Sequence, residues 1–111
     1  MESLNRVTLR GKIGSVKKMY IGQEEPKCAI RFTLATECIT KTREGIPVYE
    51  IEWHNVVVIK SSLCPYLDDI ETGATAEIEG RLKYVRYTST DGTERVIAEI
   101  KAEKIKIILN E

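Results

Sequence analysis

The residues of this chain that could support catalysis are two carboxylates, a histidine and a cysteine. Glu50 and Glu52 are two positions apart, so on a strand they share a face, and a paired-carboxylate site would be possible there. His54 could act as an acid or base, but it forms no recognisable nucleophile pattern with Cys38. No glycine-rich phosphate loop accompanies them. We therefore interpret Glu50 and Glu52 as exposed strand carboxylates and predict that the protein is not an enzyme.

The cysteines do not form a disulfide or zinc pattern. The chain has three of them, Cys28, Cys38 and Cys64, at wide spacing, with no CxxC pair and a single histidine. We predict buried, reduced thiols, no metal site and no cofactor.

The bulk composition is that of one globular domain, which we place over residues 1–111. Hydrophobic residues make up 42% and charged residues 31% of the chain. The longest apolar run, residues 56–59, is far shorter than the about 20 residues of a membrane-spanning helix. Residues 1–6 lack the apolar stretch of a signal peptide, so we expect a cytoplasmic protein without a membrane partner.

The 17 basic and 17 acidic residues cancel, so a nucleic-acid-binding protein would have to gather its cations on one face.

Turn signals divide the chain into five segments in which apolar and polar residues alternate. Polar loops are predicted at residues 22–26 and 40–47, and a hairpin turn at Thr90-Asp91-Gly92. The period of two predicts five strands, at residues 7–13, 28–34, 49–59, 76–84 and 105–109. Tyr84 falls with the inward set of the fourth strand, which favours a core position.

A short helix is predicted at residues 61–70, between the third and fourth strands. Ser61 or Ser62 can cap it, Pro65 falls in its first turn, and Gly73 follows its end. Five strands with one helix in this place are typical of an all-β, five-stranded OB-fold Greek-key barrel. Gly11 and Gly14 suit a first strand that must bend or bulge at a barrel corner.

Four blocks of sequence resemble the bacterial single-stranded DNA-binding protein family. They are residues 4–14 (LNRVTLRGKIG), 32–36 (FTLAT), 52–58 (EWHNVVV) and 78–82 (IEGRL), in the family's order and spacing. The resemblance covers residues 4–109 and implies an OB-fold domain that binds single-stranded DNA without sequence preference, in DNA replication, recombination or repair.

The resemblance also implies the site residues. Trp53 and Tyr87 would stack on bases, although a lone strand tryptophan is more often a core residue, and Tyr87 could instead cap the barrel rim. Basic residues that would hold the phosphates are Arg6, Lys41, Arg43, Lys83 and Arg86, although Lys41 and Arg43 could equally be solvated loop charges. Because family members form homotetramers or homodimers, partly by pairing their first strands, the subunit contacts would include His54, Val7 and Leu9.

Some features depart from the family pattern. Thr40 and Ile59 stand where aromatic residues are common, and Asn55 stands where a basic residue often follows Glu-Trp-His. The sequence ends at Glu111, directly after the fifth strand, without the acidic C-terminal tail with which family members recruit replication proteins. Two alternatives therefore stay open beside the main interpretation. One is a tail-less factor like primosomal replication protein N, and the other is an OB-fold protein-interaction scaffold that does not bind DNA.

Overall fold

The computed structural model describes residues 2–21, 27–59 and 69–108, and these form a closed barrel of five strands. The strands are β1 (Val7–Ile21), β2 (Lys27–Arg43), β3 (Ile46–Ile59), β4 (Thr75–Thr88) and β5 (Glu94–Ile108). Their order around the barrel is β1-β2-β3-β5-β4. All neighbours are antiparallel except β3 and β5, which pair in parallel. This arrangement confirms the predicted OB-fold barrel, whereas residues 61–68 of the predicted helix lie outside the described residues.

Alternation along the strands fills the barrel with aliphatic side chains. On β2 and β3 the inward positions include Ile30, Phe32 and Leu34 and, opposite them, Val56 and Val58, each at most 2% exposed. Burying one such side chain stabilises the fold by about 1.5–3 kcal/mol. The remaining members of this buried core are Ile13, Ile70, Ala76, Ile78, Ile100 and Ala102.

The alternate residues of β1, β2 and β3 point away from the core and form a continuous surface, which we call the outer face. The register sets its rows: Lys12 lies opposite Ala35, and Ala35 lies opposite Trp53. The outer-face residues are Arg10, Lys12, Gly14 and Lys17 on β1; Arg31, Thr33, Ala35, Glu37 and Ile39 on β2; and Tyr49, Ile51, Trp53 and Asn55 on β3.

Two hairpins extend beyond the barrel. β3 pairs with β5 only over residues 56–58 and 100–102, so the β2–β3 and β4–β5 hairpins continue past the point where the barrel closes. Side chains on both faces of these extensions meet solvent. The prediction that Tyr84 is a core residue is therefore wrong: it is 68% exposed, because its strand continues where no core lies beneath it.

The turns of the two hairpins are short. Residues 40–47 are not the predicted loop, because β2 continues to Arg43 and β3 begins at Ile46. Glu44 and Gly45 alone connect them, both with positive φ (51° and 78°), as in a two-residue type I′ turn. The predicted turn at Thr90-Asp91-Gly92 is confirmed, and Gly92 N–H donates to the Ser89 carbonyl over 3.0 Å.

The first strand bends where its glycines predicted it would. The β1–β2 register shifts between Ile13 and Val16, which places a bulge at Gly14. At Gly11 the chain passes so close to β2 that a Cβ would lie 2.0 Å from the Ala35 carbonyl oxygen. This approach permits no side chain at Gly11.

Candidate nucleic-acid interface

Trp53 is the centre of the candidate site. Its side chain is 60% exposed on the outer face, so the alternative that it is a core tryptophan is wrong. The indole reaches across β2 to β1: a Cβ built at Gly14 would lie 2.6 Å from Trp53 Cζ3 and 2.6 Å from Thr33 Oγ1. The indole can occupy this position because residue 14 has no side chain. One flank of the ring thus rests on the β-sheet, and the rest of it is accessible to a ligand.

A groove of about 690 Å³ runs beside the indole. Its lining includes Trp53 and Ile51 of β3, Arg10 and Lys12 of β1, Glu37 of β2, and Thr72, Gly73 and Thr75. Apolar and aromatic side chains beside Lys12 suit a ligand that combines flat rings with negative charge. Arg10 and Lys12 were not among the predicted site residues, although their alternation with Leu9 and Ile13 in the sequence already placed them on one face.

Further cations lie on the other side of the indole. Lys17 and Arg31 are directly opposite each other in the β1–β2 register, and both are exposed. Two like charges in such a pair repel each other, so an anion between them would be favourable. Arg31 Nε also lies 3.8 Å from the carboxylate of Glu99, which is 3% exposed. Neither Lys12 nor Lys17 has an acidic partner within 4.0 Å among the described residues.

The cations of β1 farther from Trp53 are neutralised by β4. Arg10 donates to Glu77 over 2.7 Å, and Arg6 lies 3.1 Å from Glu79. Arg6, a predicted phosphate ligand, therefore lies in an ion pair beside β4, about 26 Å along β1 from Gly14 at 3.3 Å per residue. Arg6 and Arg10 are thus less available to an anionic ligand than the cations nearer to Trp53.

The tip of the β2–β3 hairpin carries two of the predicted cations. Lys41 and Arg43 are strand residues, opposite Val48 and Ile46 in the register, rather than loop residues. Arg43 is exposed and shares a face with Ile46, its cross-strand neighbour. Ile46 lies three residues before Tyr49 on β3, so the two side chains point to opposite faces, and Arg43 lies on the opposite side of the hairpin from Trp53. The structure therefore does not bring Arg43 to the indole.

The β4–β5 hairpin carries the other predicted aromatic residue. Tyr87 is 43% exposed, and its cross-strand neighbour is Arg95, so these two side chains share a face. Arg86, predicted to flank Tyr87, points to the other face and lies 3.9 Å from Glu94. Lys83 is exposed on the same face as Tyr87. Arg95 was missed because only the register shows that it lies beside Tyr87.

The predicted subunit-contact residues have partners within the chain. His54 Nε2 lies 2.8 Å from Thr36 Oγ1 in a partly buried hydrogen bond. Val7 and Leu9 are partly buried and pack against the core. Residues 7–11 of β1 pair with β4 along one edge, and pairing with β2 begins only at Lys12, so among the described residues their other edge has no strand partner.

Two of the candidate carboxylates and Cys38 lie away from the indole, whereas Glu37 shares its face. Glu50 and Glu52 are exposed on the face of β3 opposite to Trp53. Within the described ranges, no three histidine, cysteine or acidic side chains form a cluster that could hold a metal ion.

The prediction of buried thiols is wrong for Cys38, which is a free and exposed cysteine on the β2 extension. No helix in the described part of the chain is long and apolar enough to cross a membrane.

The closed barrel, with its order and pairing of five strands, defines an OB-fold protein, and this one exposes an indole between two groups of cations. Comparison with known proteins identifies the family: residues 4–108 match the single-strand binding protein family, and the chain belongs to it.

Individual relatives agree with this membership. The single-stranded DNA-binding protein of Neisseria meningitidis is 30% identical over 107 residues, which cover 96% of this chain and 60% of that protein. The mitochondrial single-stranded DNA-binding protein of Drosophila melanogaster is 27% identical over 105 residues, covering 94% of this chain and 70% of the relative. A Plasmodium falciparum SSB solved in complex with ssDNA has the same fold, with a TM-score of 0.77 at 21% identity over 100% of this chain and 98% of that one. The chain spans about 60% of the length of its bacterial relatives.

Proposed function

We propose that residues 1–111 form a single-strand DNA-binding domain that binds without sequence preference and takes part in DNA replication, recombination or repair in the cytoplasm. The observation that carries this proposal is the indole of Trp53, exposed on the outer face between Lys12 on one side and Lys17 and Arg31 on the other. The named relatives are single-stranded DNA-binding proteins, which supports the same ligand for this chain. The protein acts by binding and not by catalysis.

The physical basis is stacking combined with neutralisation of phosphates. A base stacked on an aromatic side chain contributes about 1–3 kcal/mol, and every base presents a π-face, so such contacts do not select a sequence. Trp53 supplies one stacking surface. Tyr87, with Arg95 beside it, supplies a second on the other hairpin, and the cations of the outer face attract the backbone. The β2–β3 and β4–β5 hairpins would then hold the strand from two sides.

The test is anisotropy of a dye-labelled dT oligonucleotide over a salt series, with wild-type protein, Trp53→Ala and the matched control Tyr84→Ala. Tyr84 is equally exposed but lies on the other face of the other hairpin, so its loss is expected to leave binding unchanged. Trp53→Ala is expected to weaken binding about 5- to 150-fold. Wild-type protein that stays unbound at low salt would instead support the protein-interaction scaffold.

We further propose that the protein self-associates through the free edge of β1. The Asn5 side chain makes two hydrogen bonds with the Leu82 backbone, of 2.7 and 2.9 Å, and so prolongs the β1–β4 pairing toward the N-terminus. This holds residues 7–11 against β4, and their second edge can pair with the same edge of another copy, giving a dimer or tetramer. His54 would contribute to the contact between copies.

Self-association is measured by sedimentation velocity. Thr8→Pro removes a backbone N–H from this region and is expected to shift the protein toward monomer. A wild-type protein that sediments as a monomer at high concentration would contradict the proposal.

A further inference from the structure

The β2–β3 hairpin presents an aromatic and aliphatic stripe that continues from Trp53 to its tip. Tyr49 and Ile51 precede Trp53 at two-residue intervals on β3, and Ile39 lies directly opposite Tyr49 on β2. All four are exposed, by 59% for Tyr49, 54% for Ile51, 60% for Trp53 and 56% for Ile39. Packing against the core does not explain why four large side chains, each more than half exposed, lie on one face of this hairpin.

The stripe is continuous with the candidate nucleic-acid interface. Four strand residues span about 13 Å at 3.3 Å per residue, which is roughly four times the 3.4 Å rise per nucleotide of a stacked strand. Tyr49 is therefore far enough from Trp53 to meet a different base and close enough to meet the same DNA strand.

The charged residues of the hairpin lie mostly on its reverse face, where Arg43 near the tip accompanies two carboxylates. The carboxylates of Glu50 and Glu52 alternate with the stripe and lie on the reverse face, where they would repel phosphates. One carboxylate, Glu37, lies on the same face, opposite Ile51. A charge in the middle of the stripe disfavours burial against another apolar protein surface, whereas a base can stack on Tyr49 with its phosphate directed away.

We propose that Tyr49 is an additional base-stacking residue, with Ile51 and Ile39 as its apolar surroundings, and that the DNA strand runs from Trp53 along the hairpin toward its tip. The inference rests on the proposed function and extends it by naming a third aromatic contact. It also gives a physical role to an aromatic residue in a chain that has Thr40 and Ile59 in place of two usual aromatic residues.

The test compares Tyr49→Ala, Tyr49→Phe and the matched control Tyr84→Ala in binding to short and long dT oligonucleotides. Tyr49→Ala is expected to weaken binding of a long oligonucleotide about tenfold and to have little effect on one just long enough to cover Trp53. Tyr49→Phe is expected to bind like the wild type, because stacking needs the ring and not the hydroxyl. Circular dichroism of each variant verifies folding.

The outcomes separate this inference from the proposed function. If wild-type protein binds, Trp53→Ala weakens binding and Tyr49→Ala does not, Tyr49 is not a stacking residue and the proposed function stands. If wild-type protein does not bind DNA, both fail. If Tyr49→Ala leaves binding unchanged but turns an oligomer into a monomer in sedimentation velocity, the stripe is a contact between copies, and the inference is overturned. Photocrosslinking of Tyr49 to 5-iodouracil in a long oligonucleotide would support it directly.

Discussion

Substitution of Gly14 by alanine tests the position of the indole without removing it. A Cβ at residue 14 would lie 2.6 Å from Trp53 Cζ3 and 3.3 Å from its Cη2, so the ring must move by about 1 Å or more to restore ordinary contact. The backbone at Gly14 is not among those with positive φ, so alanine itself is not strained there. We expect Gly14→Ala to push the indole off β1.

The effect on stability is expected to be small. Overpacking in a closed core costs about 1–3 kcal/mol, but this indole is 60% exposed and can swing toward solvent. Replacing glycine by alanine also stabilises by about 0.4–1 kcal/mol through the unfolded chain. The net change in the free energy of unfolding should therefore stay within about 0–2 kcal/mol, partly because the Cβ also approaches Thr33 Oγ1.

The effect on DNA binding is expected to be larger. Losing one stacked base is worth about 1–3 kcal/mol, or about 5- to 150-fold in the dissociation constant. The assay is anisotropy with a labelled dT oligonucleotide, together with the emission maximum of Trp53, which should shift to longer wavelength as the ring becomes more exposed. Urea unfolding of the same samples measures stability separately.

A double-mutant cycle with Trp53→Ala controls for indirect effects. In the background without the indole, Gly14→Ala should change binding very little, because the group it displaces is gone. The reasoning is refuted if Gly14→Ala binds like the wild type with unchanged emission. It is also refuted if the two substitutions weaken binding additively. Gly11→Ala provides a contrast, because its Cβ would meet the Ala35 backbone at 2.0 Å and should destabilise the fold itself.

Three further predictions concern charge. Hydrogen bonds from the Ser89 side chain and from the Thr93 backbone lower the pKa of Asp91 from 3.8 to about 2. The stability that Asp91 contributes is therefore present above pH 3.8 and is lost as the pH falls toward 2. Asp91→Ala should have a lower Tm than the wild type at neutral pH, and thermal unfolding should show this difference shrinking as the pH falls from 3.8 toward 2. Lys12→Ala and Lys17→Ala should each reduce the slope of log affinity against log salt by about 0.7, and an unchanged slope would exclude these lysines from phosphate contact. Glu37→Gln should tighten DNA binding about 1.5- to 5-fold in the same titration, whereas Glu50→Gln on the reverse face should leave it unchanged.

The barrel was predictable from the sequence because alternation reports directly which side chains point inward. The turn at Asp91 and the bulge near Gly14 follow from local patterns, whereas the order of the strands around the barrel was expected only from the OB-fold as a whole. The same alternation misplaced Tyr84, because a pattern of period two continues along a hairpin whether or not a core lies beneath it. The exposure of Cys38 was missed for a different reason: free cysteines are usually buried, but this one lies on the β2 extension.

The candidate site was predictable only in part, because cross-strand register is not visible in one strand. The exposure of Trp53 was expected from the family resemblance and not from composition, which would place a lone tryptophan in the core. Arg6 matched a basic family position, but its ion pair with Glu79 depends on β4 lying beside it. Likewise, Arg95 lies 8 residues after Tyr87 in the sequence and beside it in the structure.

The most direct test of the central claim is an intrinsic fluorescence titration with a dT oligonucleotide at low salt. The chain has one tryptophan, so the emission reports on Trp53 alone. If bases stack on the indole, the emission will be quenched to saturation and will recover when salt is added. Emission that stays constant while anisotropy shows the oligonucleotide bound would mean that DNA lies elsewhere on the protein, and it would contradict the account.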